Sequence, residues 1–77
     1  MKITILAFGK IAEIVPQQEW ETAGTETAAA LRIRLEAEHP ALKNLRYRLA
    51  VDKQMAYDDT PLRDGSVVAL LPPFSGG

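Results

Sequence analysis

Val67-Val68-Ala69-Leu70-Leu71 is apolar at every position and is followed at once by Pro72-Pro73. Five residues of this kind are too few for a helix and suit a strand. Proline cannot donate a ladder hydrogen bond, so a sheet holding this strand must release the chain at residue 72. Val68 and Leu70 share one face, yet Val67, Ala69 and Leu71 make the other face apolar too. A strand of an antiparallel sheet with one solvated face should alternate instead. Either loops half-cover the second face or another protein docks on it. Docking is the expectation.

The rest of the chain reads around this strand. Residues 2–8 have the β-branched and aromatic character of a strand, with Ile3, Ile5 and Ala7 on its core face. Lys2, Thr4, Leu6 and Phe8 fall on the other, where Leu6 and Phe8 extend the apolar patch. Gly9 interrupts the strand, and residues 10–15 suit one or two helical turns ending before Pro16. Residues 18–22, around Trp20, read as a short strand antiparallel to the first. The main helix should start after Gly24 with Thr25 or Thr27 as N-cap and Glu26 near the positive dipole end. It should run to Glu38 and halt at His39-Pro40. Ala28, Leu31 and Leu35 form its apolar stripe, while Arg32–Glu36 and Arg34–Glu38 have the spacing of ion pairs on a solvated face.

Residues 46–51 alternate as a further strand, with Tyr47, Leu49 and Val51 on one face. Asp52-Lys53 then turns the chain into a short strand over 54–57. Residues 58–62 are a loop or one tight helical turn, and Asp64-Gly65 turns the chain into the last strand, 66–71. Several strands, one helix and short connections imply an α+β domain with the helix across one sheet face. The expected core is Ile3, Ile5, Leu31, Leu35, Leu49, Val51, Val68 and Leu70.

With 77 residues the chain makes one small domain, which buries about 60% of its unfolded surface. A net charge of −1 lacks the strongly basic footprint of a nucleic-acid binder. No apolar run reaches the roughly 20 residues of a membrane span, and residues 1–5 do not resemble a signal peptide. A cytoplasmic protein with no membrane partner is expected. The absence of cysteine excludes a disulfide framework, a thiolate nucleophile and a thiolate metal site. His39 is the only histidine, too few for a zinc site or a nucleophile–base pair, and its place behind the helix suits dipole compensation. Gly9, Gly24 and Gly65 stand alone, without phosphate-loop spacing. No bound cofactor and no metal are expected. Any chemistry falls to the chain terminus or to a partner.

The terminus is Gly76-Gly77, a pair expected by chance in roughly one chain in 200. Two residues without a Cβ make the thinnest backbone available. Such a tail can enter a narrow site and present its carboxylate as the reacting group. The alternative is a frayed end of no consequence.

Three stretches carry a resemblance over essentially the whole chain. They are Ile5-Leu6-Ala7-Phe8-Gly9-Lys10-Ile11-Ala12-Glu13-Ile14, Leu49-Ala50-Val51-Asp52-Lys53-Gln54, and residues 60–77. The last is the specific one: Pro61-Leu62-Arg63-Asp64-Gly65, an apolar strand, Pro72-Pro73 and the terminal Gly76-Gly77. Together they resemble the small, sulfur-carrying subunits of molybdopterin synthase, a ubiquitin-like β-grasp family. The chain departs from that pattern at Asp52, often Asn, and at Leu70 and Leu71, often aromatic.

The resemblance implies a β-grasp domain over residues 1–72, a mixed sheet with one main helix packed across it, and a flexible tail over 73–77. It implies that an ATP-dependent adenylating enzyme, related to ubiquitin-activating enzymes, converts the Gly77 carboxylate to an acyl adenylate. A sulfur donor enzyme would then supply a thiocarboxylate, which the large synthase subunit uses to build the dithiolene of molybdopterin from a cyclic pyranopterin phosphate. Gly77 would carry the sulfur and Gly76 give access. Leu6, Phe8, Val67, Ala69, Leu71, Pro72, Pro73, Phe74 and Ser75 would meet the partner, in an assembly of two small and two large subunits. No autonomous catalysis is implied. A sulfur carrier for thiamine thiazole formation, a ubiquitin-like modifier of lysines and a non-reactive interaction module are the rival readings.

Overall fold

Burial follows the period of two along the first strand. In a computed structural model that describes residues 1–23 and 27–73, Ile3 and Ile5 of β1 (Lys2–Ala7) are fully buried, and Thr4 and Leu6 at the alternate positions are not. A 3-10 helix (Gly9–Glu13) follows, then β2 (Gln18–Glu21) and α1 (Ala28–Glu38). A second 3-10 helix (Pro40–Asn44), β3 (Arg48–Val51), β4 (Gln54–Met55) and β5 (Val67–Leu71) complete the chain. The sheet order is β2-β1-β5-β3-β4. β1 and β5 run parallel at its centre and every other pair is antiparallel, which makes the sheet mixed. A parallel pair needs a long crossover, and α1 lies within it.

Leu31 and Leu35 of α1 enter one core with Ile3, Ile5, Leu49, Val51, Val68 and Leu70, so all eight expected core residues are buried. Ile11, Val15, Trp20, Leu42 and Leu62 complete it from the connections and β2.

The start of α1 is capped from the 58–60 turn and by Thr27. The Ala28 and Ala29 N–H groups donate to the Thr60 and Asp58 carbonyls at 2.9 and 3.1 Å. Thr27 Oγ1 accepts from Ala30 N–H, and the Thr27 carbonyl accepts from Leu31 N–H. The Ala28, Ala29 and Ala30 N–H groups, which a helix start otherwise strands, are thus paired, and the Leu31 bond is the first of the helix itself. Thr27 is the cap; Thr25 and Glu26 lie outside the described residues. At the other end His39 donates its N–H to the Leu35 carbonyl at 2.8 Å.

Four expectations need correction. The helix pairs Arg32–Glu36 and Arg34–Glu38 do not close. Among the described residues Arg32 lies 4.0 Å from Asp58 and 5.9 Å from the Tyr47 ring centre, and Arg34 lies 4.4 Å from that of Trp20. An exposed carboxylate attracts a guanidinium only weakly, and a ring face competes with it. Glu36 instead accepts from Tyr47 Oη at 2.6 Å. Burial, and then this bond, hold the Tyr47 phenol above its ordinary pKa.

Second, β3 begins at Arg48 rather than residue 46. Arg48 pairs with Leu71, and the next residue on β5's strand is Pro72, which has no N–H to continue the ladder. Third, β4 ends at Met55 rather than residue 57, because Tyr57 gives its N–H to Thr60 Oγ1 at 2.8 Å in a turn. Fourth, Pro40 does more than end α1: it starts a 3-10 helix, a position where its missing N–H costs nothing, and that helix buries Leu42.

Candidate functional site: the outer sheet face and the chain exit

Strand register assembles the face away from α1. Leu6 stands beside Ala69, Ala69 beside Ala50, and Ala50 beside Met55, one row across four strands. Thr4 and Val67 form the next row, while Leu71 faces Arg48 on the other side. The row of Leu6 is apolar along its whole length, where a solvated sheet would carry polar side chains. Phe8 is 47% exposed and Val67 38%, large values for apolar groups on one surface. Leu6, Phe8, Val67 and Ala69 line a groove of about 390 Å3 that also reaches Asp52 and Lys53.

The structure thus brings four of the expected partner-binding residues into one concavity. Leu71 is half-buried beside them. Pro72 and Pro73 line a separate hollow of about 240 Å3 with Lys10, Ile11, Leu45 and Arg46. Phe74, Ser75, Gly76 and Gly77 lie outside the described residues. Ala50 and the 47% exposed Met55 were missing from the expected surface. Their membership depends on the β3–β4 register, and the only sequence signal for it is the Asp52-Lys53 turn.

Two local devices shape the face. Asp52 and Lys53 both have positive φ, 50° and 72°, in the two-residue connection between Val51 and its partner Gln54. Asp52 exchanges backbone and side chain with β5: its N–H donates to the Val67 carbonyl and its Oδ1 accepts from Val67 N–H, both at 2.9 Å. An amide oxygen in the same place would accept equally, so Asp for Asn keeps the turn.

The second device is at the exit. Phe8 N–H donates to the Leu70 carbonyl, and Gly9 follows at φ +60°. A Cβ on Gly9 would sit 3.2 Å from Pro72 Cγ. Gly9 therefore serves both as a left-handed bend and as the floor under the departing chain. Gly9→Ala should cost about 1–2 kcal/mol in a urea melt through the left-handed backbone alone, and should also displace Pro72. Gly65→Ala supplies the control, since Gly65 has φ +87° but open space around a Cβ. It should destabilise comparably yet leave partner binding intact. Equal effects of both variants on binding would show that the Gly9–Pro72 contact does not direct the exit.

Among the described residues no group of His, Asp and Glu could hold a metal ion, and no helix is long and apolar enough to cross a membrane. What these residues offer is docking and delivery: an apolar face, and next to it a braced exit for the chain.

Known proteins resemble this chain in sequence and in fold. The molybdopterin synthase sulfur carrier subunits of Chlamydomonas reinhardtii and Escherichia coli (strain K12) are each 34% identical to this chain. The first match covers all of both chains, and the second covers 97% of this chain and 99% of its relative. Among solved structures, a putative molybdopterin converting factor subunit 1 from Pyrococcus furiosus superposes with a TM-score of 0.86 at 21% identity, over 95% of this chain and 98% of that one. SAMP1 from Haloferax volcanii, a small archaeal modifier protein, gives 0.81 at 21% identity over the whole of both chains. A complex of subunits 1 and 2 of molybdopterin-converting factor from Helicobacter pylori gives 0.74 at 25% identity, again over both chains entire. The fold is the ubiquitin-like β-grasp. With the ThiS family profile matching residues 5–77, this chain belongs to the ThiS family.

Proposed function

We infer that this protein is the sulfur carrier of molybdenum cofactor biosynthesis, the small subunit of molybdopterin synthase. The observation that carries this reading is end-to-end similarity to sulfur carrier subunits, combined with an apolar face beside a braced chain exit. A carboxylate is a poor electrophile. Attack of the Gly77 carboxylate on the α-phosphate of ATP, in the active site of an adenylating enzyme, expels pyrophosphate and leaves an acyl adenylate. Hydrosulfide supplied by a donor enzyme then adds to the acyl carbon and AMP departs, leaving a thiocarboxylate. The resulting thiocarboxylate enters the large subunit and gives its sulfur to the cyclic pyranopterin phosphate, returning Gly77 to a carboxylate. Gly76 keeps the approach narrow. Acid–base and anion-binding groups belong to the partners, and ATP is consumed by the activating enzyme rather than held here.

Leu6, Phe8, Val67, Ala69, Leu71 and Met55 form the docking surface for the large subunit, and the activating enzyme uses the same face in turn. Phe8→Asp places a carboxylate in the groove at a position that is already half exposed. It should leave the melting temperature nearly unchanged and weaken binding to the large subunit at least tenfold by calorimetry, on the order of the cost of burying an unpaired charge. In a purified system of activating enzyme, ATP, sulfide, large subunit and cyclic pyranopterin phosphate, this variant should also slow molybdopterin formation. Unchanged affinity would remove the groove from the interface.

The likeness to SAMP1 favours a second reading, a modifier joined to lysines through the same activated terminus. Incubation with the activating enzyme, ATP, sulfide and candidate lysine-bearing proteins, without the large subunit, separates the two: isopeptide adducts support the modifier and a free thiocarboxylate supports the carrier.

A further inference from the structure

The groove on the outer face ends at Lys53, where backbone and residue type disagree. Lys53 holds φ +72° in a two-residue turn whose second position normally takes glycine, the residue free of a Cβ penalty there. Asp52 has a local reason for its own positive φ, since its carboxylate closes the start of β5 through the Val67 N–H. Lys53 has no such reason. It is exposed, and among the described residues the ion pairs of the fold leave it out. A lysine kept in a glycine conformation points to a use outside the domain. Its side chain lines the same groove as Leu6, Phe8, Val67 and Ala69.

Position along the groove sharpens the point. Phe8 bonds to Leu70, near the end of β5 from which the tail departs, whereas the Asp52-Lys53 turn bonds to Val67, where β5 begins. Lys53 therefore marks the end of the groove farthest from the tail. Apolar contact is non-directional and leaves open where along such a groove a partner sits. A rim charge fixes register and quickens encounter while adding little affinity. Register matters here because a reacting group misplaced by about an ångström can lose on the order of 100-fold in rate.

Resting on the sulfur-carrier reading, we propose that Lys53 is a specificity residue whose ammonium takes a carboxylate of the large synthase subunit at the far end of the groove. Oδ1 of the neighbouring Asp52 is held by the Val67 N–H, and Lys53 is the one cationic residue that lines the groove.

The test compares Lys53→Gln, Lys53→Gly, Lys53→Arg and Lys53→Glu, each mixed with purified large subunit in calorimetry and stopped-flow at low and high salt. The Gln and Gly variants should lose affinity about two- to fivefold at low salt, as an exposed ion pair would, mainly through slower association. The difference should fade at high salt. The Arg variant should bind like wild type, and the Glu variant should lose more than the Gln variant. Lys53→Gly should melt at or above the wild-type temperature because glycine relaxes the turn, so misfolding cannot explain its weaker binding. Wild-type association rates for the Gln and Glu variants at low salt would overturn the inference while leaving Phe8→Asp to report on the groove itself. If wild-type protein fails to bind the large subunit at all, the sulfur-carrier reading and this inference fall together.

Discussion

Adding a single alanine after Gly77, or deleting Gly77, should abolish sulfur acquisition and molybdopterin formation without changing the melting temperature. β5 ends at Leu71, and Pro72 rests against the backbone of Gly9, so the chain leaves the domain from a braced point. The four residues after Pro73 can span at most about 14 Å when fully extended. With so short a tether, one residue more or less moves the reacting carbonyl by about 3.5 Å relative to a partner docked on the outer face. Misplacement of that size should cost well over 100-fold in rate, given that about an ångström can cost 100-fold. The core is built from residues between Ile3 and Leu70, so circular dichroism melts should overlay. An extended chain, shown by mass to be unprocessed, that still transferred sulfur at the wild-type rate in a purified assay would contradict this account of the tail.

Leu31→Ala should destabilise the domain by about 2–5 kcal/mol, the range for removing a fully buried leucine side chain. Leu31 has no exposed surface and meets Ile3, Ile5 and Leu35 in the single core. A domain this small has little stability in reserve, since folded proteins hold only about 0.05–0.15 kcal/mol per residue. The variant should therefore be partly unfolded near physiological temperature. Its neighbour Ile33, 72% exposed on the opposite side of α1, gives the contrast. Ile33→Ala should shift stability by less than about 0.5 kcal/mol. Equal losses at the two positions, read by urea denaturation, would mean that α1 does not present the Leu31 face to the sheet.

The contrast between those leucine and isoleucine positions was legible because burial on a helix or strand follows a simple period. Ile3, Ile5, Val68 and Leu70 could be assigned inward, and Leu6, Val67 and Ala69 outward, from alternation alone. Elements whose existence depends on a distant partner were harder. Met55 joins the outer face only through Ala50, and the start of β3 is set by Pro72, far along the chain from the strand it limits. The arginines of α1 show the same limit. Spacing along the helix suggests Glu36 and Glu38 as partners, but Trp20 of β2 and Tyr47 just before β3 compete for the guanidinium groups.

The site was readable unevenly for related reasons. Gly9 appeared in the sequence as a strand interruption, and only the fold reveals that its missing Cβ makes room for Pro72. Lys53 looked like an ordinary turn residue until its positive φ placed it in glycine's conformation at the end of the groove. The roles expected of Phe74, Ser75, Gly76 and Gly77 rest on residue type and family resemblance, since these residues fall outside the described ones.

Intact mass of the protein after co-expression with its adenylating enzyme and sulfur donor tests the central claim most directly. The sulfur-carrier account predicts a species heavier by the replacement of one oxygen with sulfur, localised by fragmentation to Gly77. Incubation with the large subunit and cyclic pyranopterin phosphate should return that species to the unmodified mass. A chain that keeps its unmodified mass in the presence of competent activating enzyme, ATP and sulfur donor would contradict the account.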